Sequence, residues 1–171
     1  MDFFDAMNTR RSVRKYLDEP VGRDVLEKIV AAGAEAPSGC NVQGKQYIIV
    51  DDPDLMEKIR PISPALNGAP AAIFLLVDPI GTKYGEFWVQ DASAAMQNML
   101  LAATALGYAS CWVEGQVRPH SAELHELLSV PENLHIWSMT PVGKSGFDAK
   151  RPPKPQPADV THYNQFGKTK G

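Results

Sequence analysis

Residues 92–113 carry no charged side chain, a run of the length that crosses a bilayer. Ser93, Gln97, Asn98, Thr104 and Gly107 interrupt it, and alanines dominate its first half. The pattern therefore predicts a buried helix followed by a buried strand rather than a membrane span. Val89, Ala92, Met96, Met99, Ala103 and Leu106 recur at steps of three and four, so the helix is placed at 87–106. Its remaining face is also largely apolar. Such a helix is either a central core element or is covered by a second subunit.

The other elements are arranged around it. Val25, Leu26, Ile29 and Val30 give an amphipathic helix over 22–34. Pro37 and Gly39 break the chain into a loop, and "QYIIV" is a strand. "DDPDLMEKIR" reads as a helix with Asp52 as its cap and Pro53 in its first turn. "APAAIFLLVD" is continuously apolar, as a strand covered on both faces must be. Strands at 108–115 and 134–143 flank a helix at about 119–129. Alternating helices and strands predict one α/β or α+β domain spanning residues 1–171. The tail "KRPPKPQPAD" is too rich in proline for regular helix or central strand. Tyr163 and Phe166 follow and need a surface to pack on, so residues 152–171 are either a loose end or an extended arm laid across a partner subunit.

A net charge of −3 argues against a general nucleic-acid or membrane-surface binder. Cys40 and Cys111 make neither a disulfide framework nor a metal cluster, and suit a reducing, cytoplasmic compartment. The N-terminus lacks the basic region and apolar run of a secretory signal. No nucleophile elbow, phosphate-binding glycine loop or metal-spaced histidine set is present, and the four histidines are scattered. No protein side chain is therefore expected to be catalytic and no metal is expected; an enzyme built this way would borrow its chemistry from a bound cofactor.

Three stretches bear on that cofactor. "RRSVRKY" is either a basic surface turn or an anion clamp, since guanidinium groups and a serine hydroxyl suit a phosphate. In extended backbone, Arg10, Ser12 and Arg14 point one way while Arg11 and Val13 face elsewhere. "APSGCNVQ" is either a polar loop or the frame of a flat ring, with Asn41 and Gln43 as amides that donate and accept. In "GYASCWVEG", Gly107 ends the long helix and Gly115 permits an unusual turn at the strand's end. Trp112 reads as core there, and Glu114 as a ligand-side residue or a solvent-facing charge.

In this order and at these separations, these motifs resemble the nitroreductase family of flavin enzymes. "NGAPAAIFLLVD", "DASAAMQNMLLAATALGYASCW" and the late "PVG" before a basic, proline-rich tail extend the likeness over nearly the whole chain. The resemblance implies an α+β, three-layer fold with a central, mostly antiparallel sheet, and a homodimer with exchanged C-terminal arms and FMN at the interface. Arg10, Arg11, Ser12 and Arg14 would then bind the FMN phosphate and ribityl chain. Pro37, Ser38, Gly39 and Asn41, from the other subunit, would frame the ring. Glu114 and Gly115 would direct backbone N–H groups to its reactive nitrogen, and Arg151 or Lys154 would join the phosphate.

The implied activity takes hydride from NADH or NADPH and reduces a small acceptor (nitro compound, quinone or flavin) by a ping-pong cycle. A redox-sensing flavin module with little turnover, or a specialised chemistry such as reductive dehalogenation, are the alternatives. Larger members carry a helical insertion where this chain has only "PIGTKYGEFW", which implies a more open site here. Cys40 beside Asn41 lies near the ring or serves as a small inert hydrophobe.

Overall fold

A computed structural model describes residues 1–79 and 87–170. Four strands form one antiparallel sheet: β1 (Lys45–Val50), β2 (Ala71–Val77), β3 (Ala109–Ser110) and β4 (His135–Gly143). Their order is β1-β2-β4-β3. The helices are α1 (Phe3–Thr9), α2 (Arg23–Ala34), α3 (Pro53–Ile59), α4 (Trp88–Ala105), α5 (Ser121–Leu128) and a single turn, α6 (Pro157–Val160).

β2 organises the layers. Every one of its residues is buried, because it lies between β1 and β4 and has helices on both faces. The two-residue period of a strand divides its side chains. Ala72, Phe74 and Leu76 pack with Met56 and Ile59 of α3 and Leu124 of α5. Ile73 meets Leu26 and Ile29 of α2 and Met99 of α4, while Leu75 and Val77 meet Ala92, Ala95 and Met96 of α4. Burying each large side chain contributes about 2 kcal/mol. The result is three layers, α+β, as the sequence predicts.

The charge-free stretch resolves as expected into helix, turn and strand. Ala92, Ala95 and Ala103 let α4 lie close to the sheet and α2. It ends in a Schellman motif: Tyr108 N–H donates to Ala103 at 2.8 Å and Gly107 N–H to Thr104 at 2.9 Å. Gly107 adopts φ +79°, the left-handed conformation that glycine makes cheap. Among the described residues, no helix is long and apolar enough to cross a membrane. At α3, Asp52 accepts from Leu55 N–H and Pro53 occupies the first turn, also as read.

Two local expectations are corrected, and one helix is added. The strand placed at 108–115 survives only as Ala109–Ser110, with a single further bridge at Val113–Met139. The register would pair Cys111 with Pro141, which has no N–H to give, so the ladder lapses there. The segment 3–9, which no periodicity marked, is a helix capped by Asp2, whose carboxylate accepts from Asp5 N–H at 3.0 Å. In the tail, Pro157 starts the one-turn helix α6, a position where its missing N–H costs nothing. The stretch "PIGTKYGEFW" at 79–88, where the expected insertion is missing, falls largely outside the described residues.

Candidate functional site

The helix α1 ends at Arg10, whose N–H donates to Ala6 at 2.9 Å. The chain then runs beside β3: Ser12 forms a parallel bridge with Ser110, and Val13 N–H donates to the Ser110 carbonyl at 3.0 Å. This fixes "RRS" between the end of a helix and the edge of the sheet. The start of the tail returns to the same place. A cavity of about 520 Å³ is lined by Arg10, Arg11 and Ser12 from the first segment and by Lys150, Arg151, Pro152 and Lys154 from the second.

Of its described lining residues, five are cationic and none is acidic. In a chain of net charge −3, that is a strong local reversal. Arg11 anchors itself by donating from NH1 to the Asn8 and Arg10 carbonyls, at 2.9 and 2.6 Å. Its Nε is buried without a hydrogen-bond partner among the described residues. A buried guanidinium N–H left unpaired is costly unless an anion meets it. A lining of this kind suits a phosphate monoester.

The alternation read for an extended segment holds only in part. Val13 is buried away from the cavity, but Arg11 lines it together with Arg10 and Ser12, because the backbone leaves a helix rather than continuing a strand. Arg14 is exposed and lies outside this lining; its charge acts on Tyr16 and Cys111. Lys150 joins the lining without having been singled out, although its place beside Arg151 was a usable signal. Met7 and Asn8 also line it, brought there by the unread helix α1.

The second stretch forms a separate, open cavity of about 320 Å³, where Pro37, Ser38 and Gly39 face Asp91 and Ala94 of α4. Ser38 Oγ is buried without a partner among the described residues. Cys40 and Asn41 both adopt left-handed backbone, with φ of 52° and 58°. Asn41 Oδ1 accepts from Gln43 Nε2 at 2.8 Å, so the two amides pair with each other. Cys40 is exposed and so is no buried filler.

Glu114 and Gly115 lie in a turn in which the Glu114 carbonyl accepts from Val117 N–H at 2.9 Å. Gly115 is not among the residues of positive φ, so its expected unusual turn is absent; a Cβ there would meet nothing within 4 Å. Trp112 packs edge-on against Trp137, centroids 5.4 Å apart, as core. Among the described residues, the two cavities share no lining residue, and Glu114 and Gly115 line neither.

A family model described as the nitroreductase family matches residues 7–72 and 60–144. A protein of Methanothermobacter thermautotrophicus, provisionally named NADH dehydrogenase/NAD(P)H nitroreductase, is 36% identical over 147 residues, covering 84% of this chain and 77% of its own. A crystal structure of a provisionally named NADH oxidase from Clostridium acetobutylicum superposes with a TM-score of 0.84 at 30% identity, over 95% of this chain and 100% of that one. A Desulfovibrio desulfuricans structure, provisionally a nitroreductase and solved in complex with FMN, gives 0.83 at 27% identity, over 97% and 98%.

Proposed function

The chain belongs to the nitroreductase family, and from that premise we propose that it is an FMN-dependent oxidoreductase taking hydride from NADH or NADPH. The acceptor is a small molecule: a nitro compound, a quinone or a free flavin. The observation that carries the reading is the cavity whose described lining holds five cations and no carboxylate, with Arg11, whose buried Nε has no partner among the described residues, in its wall. These residues fit the FMN phosphate. The FMN-bound relative from Desulfovibrio desulfuricans, similar over 98% of its length, supports the same cofactor here.

Arg10, Arg11 and Ser12 would hold the phosphate from the sheet side, and Arg151 and Lys154 from the tail. Arg14 would add its charge from outside the cavity. Pro37, Ser38, Gly39 and Asn41 would frame the ring, and Glu114 and Gly115 would offer it backbone N–H groups. FMN, when bound, supplies the hydride-accepting and hydride-donating ring. The protein's part is to bind and orient it and to leave one face open to donor and acceptor in turn.

The reading makes the whole chain one FMN-binding domain that works as a homodimer in the cytoplasm. Residues 150–170 are exposed throughout, with Phe166 at 91%, and Phe3, Phe4 and Met7 of α1 are exposed as well. A second copy is the occupant proposed for these surfaces, with the C-terminal arms exchanged. It would also bring one subunit's 37–41 loop to the other's phosphate cavity, which a single chain keeps apart.

The test is anaerobic mixing of FMN-loaded protein with NADH and NADPH. Loss of the bound flavin's absorbance, restored by a nitroarene or quinone, is expected. Failure of every acceptor to draw electrons from either donor would overturn the enzyme and leave a flavin-binding module.

A further inference from the structure

Two charged side chains outside the phosphate cavity are both committed to the loop that carries Pro37, Ser38 and Gly39. Lys45 Nζ, from β1, donates to the Ala36 carbonyl at 3.1 Å. Asp91 Oδ1, from the first turn of α4, accepts from Gly39 N–H at 2.8 Å. Asp91 also acts electrostatically on Lys45. The tetrapeptide Ala36–Gly39 is therefore held at both ends, by side chains from two elements 46 residues apart in sequence.

Between those ends Ser38 is extended, at φ −139° and ψ 152°. Its buried Oγ has no partner among the described residues, although each buried polar group ordinarily finds one. The loop has little room to relax on one side, since a Cβ on Gly39 would stand 3.2 Å from Phe87 Cβ. A loop held at both ends, lining an open cavity and carrying an unsatisfied hydroxyl just beneath that lining, is an arrangement suited to a ligand-binding wall.

We propose that Asp91 and Lys45 are positioning residues of the flavin site, bracketing residues 36–39 so that Pro37, Ser38 and Gly39 hold the cavity wall in place for the non-phosphate part of FMN. The proposal rests on the flavin reading above. Both residues act through the loop, and their contribution is to spare binding the cost of ordering it.

The experiment titrates wild type, Asp91→Ala, Asp91→Asn and Lys45→Met with FMN and with riboflavin, following flavin fluorescence. Asp91→Ala leaves Gly39 N–H without its charged acceptor and is expected to weaken both ligands about tenfold, the scale of one charge-assisted hydrogen bond. The factor is the same for both, because the loss lies away from the phosphate. Asp91→Asn keeps an acceptor for that N–H and recovers most of the affinity. Lys45→Met weakens both ligands in the same sense, and decides the matter if Asp91→Ala does not fold. Wild-type affinity in the variants, or a loss confined to FMN, overturns the proposal alone. A wild-type protein that takes up neither flavin overturns the flavin reading and this proposal with it.

Discussion

Arg11 is the residue on which the proposed phosphate site turns. Its NH1 is committed to backbone carbonyls and its buried Nε has no partner among the described residues, so removing the side chain takes a positive charge and an unused donor from the cavity wall. Arg11→Ala is expected to weaken FMN binding by about 2 kcal/mol, the scale of a hydrogen bond to a charged group. Fluorescence titration checks it, and unchanged affinity would remove Arg11 from the site. The sequence made the basic cluster visible but assigned its faces by strand alternation. That rule holds only in part because "TRR" straddles the end of α1, a helix whose exposed Phe3, Phe4 and Met7 leave no amphipathic pattern. Asp91 escaped notice for another reason. Its partner, Gly39 N–H, is a backbone group 52 residues away, and composition carries no trace of such a bond.

At the scale of elements, the sheet was largely legible because β2 and α4 are apolar in patterns that only burial satisfies. What sequence reading could not give was where β3 stops, since that depends on Pro141 standing opposite Cys111. Tyr47 of β1 provides a test of the packing between sheet and helices. Its phenol lies near α2 and Met99, its hydroxyl has no partner among the described residues, and burial pushes its pKa from 10.0 up to about 12. The unfolded chain thus loses this proton at lower pH than the folded one. The associated stability is complete below about pH 10 and is lost as pH rises through 12. Tyr47→Phe should be neutral or stabilising at neutral pH, because it removes an unsatisfied buried group. Its advantage over wild type in urea midpoint should grow toward pH 12; parallel pH profiles would show that the phenol is not buried as described.

At the scale of the whole molecule, a single chain leaves work undone. Its arm from Lys150 to Lys170 is exposed along its length, yet it is locally ordered, with a one-turn helix and a closing hydrogen bond from Tyr163 N–H to Lys168 at 2.9 Å. If the proposed dimer forms through this arm, truncation before Pro152 converts it into monomer, and FMN affinity is expected to fall because Pro152 and Lys154 leave the cavity wall. Sedimentation velocity reads the first effect, and a stable truncated dimer would show the arm to be dispensable. The account as a whole rests on the cavity of five cations holding FMN. The most direct test is the absorbance spectrum of the purified protein, with the released chromophore identified by mass. The account predicts FMN at close to one per chain, or its full uptake when added. A colourless protein that takes up no FMN, or one that carries FAD, would contradict it.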